Sequence, residues 1–426
     1  MTRRTWLCGV LLSAACGGGA GEGRTLGGAD SGPGAPGDDG VNPGPTPSGP
    51  LPWVSVTVDG GRDPDDEPEG RDWMPADLQV FEGGALVHEG RAGIHVRGNS
   101  TRGYDKKSYA LETWDAADAD QDVALLGLPA EEDWVLRGPY SDKTLIRNHL
   151  AYTLYRDIGR YAARTRFVEV AVNGDYRGVY VLMEKIKRDE NRVDLPDGAV
   201  LLKRDWVEGG PEFIETERCE DILKVDWPDS TAGVLPRLNA VEAALLSGDH
   251  SQVDLDSFVD HMLLVELGRN VDGYVLSTWL TLSADDVLGM GPVWDYNGAL
   301  GNADYFEAWR PDGWHYENPE FPADNPQGFC WYAALLEDPA FLALRRERWR
   351  AHRSGPWSDA AIAARIDEAV AVIEPVVDDN FDRWPVLGAY VWPNDEGHGE
   401  RESHADEVAY LKAWLVARAS WLDGQL

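Results

Sequence analysis

The chain has 426 residues, 43% of them hydrophobic and 10% aromatic, enough to bury a large core. Its formal charge of −35 sets it against nucleic acid and anionic membrane surfaces, because that field repels phosphate-bearing polymers. A phosphate-bearing ligand must therefore be met by local cations or by a bound metal.

Arg3 and Arg4 begin a short basic segment, and residues 6–15 are an apolar run too brief to cross a bilayer. Leu12-Ser13-Ala14-Ala15-Cys16 sets small residues directly before a cysteine, the pattern of a lipoprotein processing site, with Ser13 where leucine is usual. Residues 1–16 are expected to be an export signal with lipid carried on Cys16, ordinary signal cleavage being the alternative. Residues 17–52 are Gly, Pro, Asp and Ser with little to bury, which predicts a flexible tether. The expected setting is the cell envelope or surface, with the membrane reached only through that lipid. Cys219 and Cys330 remain as an even pair in an oxidising compartment, available to form a disulfide or to stay as buried thiols.

One continuous domain is expected over residues 53–426. Its front reads as strands at 53–58, 78–81 and 93–97, then a turn-rich loop, Gly98-Asn99-Ser100-Thr101-Arg102-Gly103, and a strand over 106–112. Residues 142–157 read as a helix with Ser141 as its cap. Asn173-Gly174 between the apolar runs 167–172 and 176–183 is a strong hairpin signal. The rear reads as helical: residues 255–267, 360–372, and a last helix from Ser403 with Val408, Leu411, Leu415 and Leu422 on one stripe. Strands in front and helices behind predict an α+β protein with a cleft between them.

No HExxH helix, CxxC pair or GxSxG elbow occurs, which argues against zinc and α/β-hydrolase chemistry. The loop at 98–103 has the Walker A spacing, but Tyr104 stands where a lysine must follow. What remains is a glycine-bounded loop, a strand with lysines, a helix and a hairpin, an order suited to holding nucleotide phosphates. Downstream, Asn270-Val271-Asp272-Gly273 and Val293-Trp294-Asp295-Tyr296-Asn297 flank an expected hairpin. Phosphoryl transfer needs one carboxylate to orient or deprotonate the nucleophile and another to hold Mg²⁺, and Asp272 and Asp295 are candidates for these roles.

The ordered blocks Val96-Arg97-Gly98-Asn99-Ser100, Lys106-Lys107-Ser108-Tyr109, Leu145-Ile146-Arg147-Asn148 and residues 173–180, followed by Glu184-Lys185-Ile186, resemble the CotH family of spore-coat-type atypical kinases. Asp272 and Trp294-Asp295-Tyr296 resemble its two acidic motifs. The resemblance implies a divergent protein-kinase-like fold of two lobes, a strand-rich N-lobe and a helical C-lobe. It further implies phosphate transfer from ATP, with Mg²⁺ or Mn²⁺, to Ser or Thr hydroxyls of surface or coat proteins. By that resemblance Asp272 is the catalytic aspartate and Asp295 a metal ligand. Arg97 and the Lys106/Lys107 pair would contact ATP; Lys107 is favoured, since a strand points only one of two neighbours inward. Met183 and Glu184 would border the adenine.

Two departures stand out. Ser277 occupies the place, five residues after Asp272, where the family usually has asparagine, and Asn297 replaces the second aspartate of WDxD. Both are weaker metal ligands than the residues they replace, so a catalytically weak pseudokinase, a tethered binding or assembly module, is the alternative expectation.

Overall fold

Strand β1 spans Trp53–Val58 in a computed structural model that describes residues 47, 49–67, 69–207, 209–318 and 327–426. The expected leader, Cys16 and most of the tether lie outside the described residues. After β1 come β2 (Met74–Glu82), β3 (Ala85–Arg97), β4 (Ser108–Trp114) and β5 (Asp133–Arg137). Helix α1 (Arg147–Asp157) leads to β6 (Thr165–Val172) and β7 (Asp175–Glu184). These strands close into a barrel in the order β1-β2-β3-β4-β5-β7-β6. Closure is made by β1, which pairs antiparallel with β2 (Val54 opposite Val80) and parallel with β6 (Val54 opposite Val170). Alternating residues fill the interior, among them Val54, Val56, Leu78, Ile94, Leu111, Leu136, Val168 and Leu182, all essentially inaccessible. Each such side chain contributes about 1.5–3 kcal/mol on burial.

A second sheet follows, from β8 (Val200–Arg204), β9 (Phe213–Glu215), β10 (Ile222–Trp227), β11 (Thr278–Leu282) and β12 (Leu288–Met290), in the order β12-β11-β8-β10-β9. Between β10 and β11 lie α2 (Val234–Leu246) and α3 (Leu255–Gly268). The remaining helices are α4 (Cys330–Leu336), α5 (Pro339–Arg353), α6 (Asp359–Ile373), α7 (Val377–Arg383) and α8 (His404–Gln425). Helix α3 is buried on nearly every face, as its apolar sequence requires, and packs against α5 and α8. Ser403 caps α8, closing a capping box with Asp406. A disulfide joins Cys219 to Cys330, ties the segment before β10 to α4, and encloses a sequence separation of 111. No described helix is long and apolar enough to cross a membrane.

The expected two-lobed, kinase-like arrangement of a strand-rich N-lobe and a helical C-lobe is not what forms. The front strands close on themselves as a barrel, and the rear contains a five-stranded sheet as well as helices. Closure depends on β1 finding β6 more than a hundred residues later, a pairing that strand periodicity does not encode. The rear strands are only three to six residues long, and β10 has a register shift at Val225/Trp227, so they offer little alternation to read. The helix expected over 142–157 begins only at Arg147, because the Asp142 carboxylate accepts from the Arg147 backbone N–H at 2.8 Å and holds 142–146 as a turn.

Candidate functional site

A cavity of about 380 Å³ opens between the barrel and the second sheet, within the size range of small-molecule sites. Arg97 and Arg137, the last residues of β3 and β5, form part of its barrel wall. Lys203, Lys224 and Trp279 come from the second sheet, and the loops after α3 and β12 supply Asp272, Ser277, Asp295 and Asn297. The described lining residues include seven basic side chains and six carboxylates, whereas the whole chain has 39 basic and 74 acidic residues. The cavity is thus a local departure from the protein's strongly negative field.

Asn270 joins the two acidic loops. Its Oδ1 accepts from the Asp272 backbone N–H at 3.2 Å, and its Nδ2 donates to the Asp295 carbonyl at 3.3 Å. Helix α1 holds the second loop: the Tyr296 N–H donates to Asn148 Oδ1 at 2.6 Å, and the Asp295 N–H donates to the Tyr152 hydroxyl at 3.1 Å. The Trp294 ring stacks on Tyr152 with centroids 5.9 Å apart, and Arg97 lies over that indole at 5.6 Å. The motif at 145–148 therefore acts by positioning the Asp295 loop. Asp295 and Ser277 both adopt positive φ, +60° and +51°, the left-handed region where a non-glycine residue is uncommon. Such backbone is kept where surrounding contacts over-determine it, often at functional sites. Gly98 has φ +100°, and a Cβ there would lie 2.0 Å from Thr101 Oγ1, so the turn after Arg97 requires glycine.

Charge at the site is unevenly matched. Arg137 Nη2 donates to Asp295 Oδ1 at 2.7 Å and to Asn297 Oδ1 at 2.5 Å. The Asp272 carboxylate makes no hydrogen bond to another described residue. Burial pushes it up to about 7, and the nearby charges of Asp295 and Asp205 push the same way. Burial also lowers the Arg97 guanidinium to about 10, with Arg137 adding to the shift and Asp295 opposing it.

Several expected site residues stand elsewhere. Lys106 and Lys107 precede β4 instead of alternating within it, and neither lines the cavity. Lys106 is buried, donates to the Val179 carbonyl and to Asn380 Oδ1, both at 2.7 Å, and so clasps the barrel to α7. Lys107 donates to the carbonyls of Arg102 (2.9 Å) and Tyr104 (2.5 Å), bracing the turn after Gly98. Met183 belongs to the apolar core, and Glu184 is buried against Arg164 and Tyr161. Their successors Lys185 and Ile186 do line the cavity. Arg137 was not marked by the sequence: a single arginine ending a strand carries no motif, and only the fold sets it against Asp295. In a separate acidic group, Asp122, Glu131 and Glu132, the two glutamates pair with Lys187, and Glu131 pairs with Arg192 as well.

Residues 94–422 match the family described as CotH kinase protein. The chain belongs to that family. It is also similar to the inner spore coat protein H of Bacillus subtilis (strain 168), with 24% identity over 222 residues. That match covers 49% of this chain and 58% of the relative, so the chain aligns with little more than half of its length. As a member of the CotH family, the chain carries its family region across the barrel from β3 onward, the second sheet and nearly all of the helices.

Proposed function

We propose that this protein is an extracytoplasmic kinase that transfers phosphate from ATP to Ser or Thr hydroxyls of surface or coat proteins, anchored to the envelope by a lipid on Cys16. The observation that carries this reading is the convergence of Asp272 and Asp295, joined through Asn270, on a cavity walled by Arg97 and Arg137. Membership of the CotH kinase protein family supports it.

The donor set suits Mg²⁺ or Mn²⁺: the Asp295 carboxylate, the amide oxygen of Asn297 and the Ser277 hydroxyl are all hard ligands. An Asp272 carboxyl that makes no hydrogen bond to another described residue, pushed up to about 7, has the character of an acid held where a cation would relieve it. A divalent ion bound there would supply neutralisation of the charge that develops on transferring phosphate oxygens. The Asp272 carboxylate, which makes no hydrogen bond to another described residue, is available to accept the proton of an acceptor hydroxyl as that oxygen attacks. Asp295 and Asn297 would fix the donor end of the site. Arg97 and the basic lining would hold the phosphates of ATP against a protein whose overall charge repels them.

The test is ³²P transfer from ATP to a Ser/Thr-containing acceptor by the purified protein, with Asp295→Ala as control. The expected result is Mg²⁺- or Mn²⁺-dependent transfer that the variant loses. Transfer that persists in the variant would refute the assignment of Asp295. A second reading, a pseudokinase that binds without transferring, is favoured by one specific observation: Arg137 already occupies oxygens of both Asp295 and Asn297, while the Lys106/Lys107 pair is used to brace the fold. Nucleotide binding without transfer would select it.

A further inference from the structure

Arg97 and Arg137 end β3 and β5, the two strands on either side of β4, and line the same cavity. Arg97 donates no hydrogen bond to any described residue. Arg137 uses one nitrogen, Nη2, for both of its bonds, and its remaining guanidinium donors contact no described acceptor. Arginine presents five donors in a rigid fork that matches paired oxyanions, so two guanidinium groups here leave most of their hydrogen-bonding capacity unused. Lys106 and Lys107, the other candidates for meeting phosphate, are committed to backbone carbonyls and to Asn380. The Arg137 side chain is only 7% exposed and Asp295 26%, so their ion pair is well shielded from solvent.

We propose that Arg97 and Arg137 form the oxyanion-binding pair of this cavity, and that Arg137 is a handover residue: it holds Asp295 and Asn297 together in the ligand-free site and turns to the phosphates of a polyphosphate ligand when those oxygens are taken by a divalent cation. The inference rests on the reading of the cavity as a polyphosphate and cation site. It adds that one arginine competes with the cation before the ligand arrives and holds the ligand afterwards. The two roles use the same guanidinium, so removing it must move two affinities in opposite directions. A merely structural arginine would move both the same way or neither.

The experiment uses the full-length protein with Mn²⁺ followed by electron paramagnetic resonance and inorganic tripolyphosphate followed by calorimetry. Arg137→Met is expected to bind Mn²⁺ alone at least about tenfold more tightly than the parent, since the competing charge-assisted bonds are gone. Tripolyphosphate at saturating Mn²⁺ should bind the same variant at least about tenfold more weakly, the scale of one lost charge-assisted contact. Arg97→Met should weaken tripolyphosphate and leave Mn²⁺ alone unchanged. Arg137→Lys, which keeps the charge but loses the fork, should shift both affinities in the same directions by less, and it carries the test should Arg137→Met not fold. A parent protein that binds neither probe would overturn the reading of the cavity, and this inference with it. A parent that binds both, with Arg137 variants whose two affinities fall together or stay put, would overturn the handover alone.

Discussion

Asn270 offers the sharpest test of whether the two acidic loops work as one unit. It is 1% exposed and makes two bonds, to the Asp272 N–H at 3.2 Å and to the Asp295 carbonyl at 3.3 Å. Asn270→Ala removes both partners and leaves one buried donor and one acceptor unsatisfied. At about 1 kcal/mol per bond, near the lower end because both are long, the loss is about 2 kcal/mol. The unit formed by residues 41–426 has an unfolding entropy of roughly 0.8 kcal/mol/K at about 2.1 cal/mol/K per residue, so Tm should fall about 2–3 °C. The functional loss should be larger in proportion. Displacement of a reacting group by about 1 Å costs on the order of 10²-fold, and Asn270 alone links the loops by side-chain bonds among the described residues. The assay pairs a melting curve with Mn²⁺ titration of the same sample. A variant whose Tm falls while its Mn²⁺ affinity stays at the parent value would refute the idea that Asn270 aligns the two carboxylates.

Asp272→Asn should change how stability depends on pH. The folded carboxyl lies at about 7, above its ordinary value of 3.8, so the native state holds the proton longer than the unfolded chain does, and stability drains away as pH rises between about 4 and 7. The variant, melted in chelator, should match the parent near pH 4 and exceed it above pH 7, by about 2 kcal/mol after allowing for water reaching the half-buried group; parallel curves would count against it. Lys106→Met should lower Tm, because Val179 O and Asn380 Oδ1 lose their donor, at about 1–3 kcal/mol. The same variant should leave tripolyphosphate affinity intact, and a clear loss of that affinity would return Lys106 to the site. Replacing Cys219 and Cys330 together by Ser opens a loop of separation 111, for which chain entropy gives about 5 kcal/mol, or about 6 °C in Tm at the unfolding entropy used above. A reduced, alkylated parent that melts at the oxidised temperature would contradict this.

Local chemistry in the chain was enough for some of this. The alternation of Trp53–Val58 specifies β1, Asn173-Gly174 specifies the β6–β7 turn, and Ser403 with Asp406 specifies the start of α8, because each depends on neighbours within a few residues. Asp272 and Asp295 were legible as candidates for the same reason: acidic side chains beside glycines, on either side of a hairpin. Tertiary structure alone decided the rest. Closure of the barrel, the second sheet, the commitment of Lys106 to α7 across 274 residues and the meeting of Arg137 with Asp295 across 158 residues all depend on long-range contacts. A strand or a basic residue carries no record in its own neighbourhood of the partner that packing will bring to it. That is why Asp295 could be marked as a candidate from the chain and the arginine that pairs with it could not.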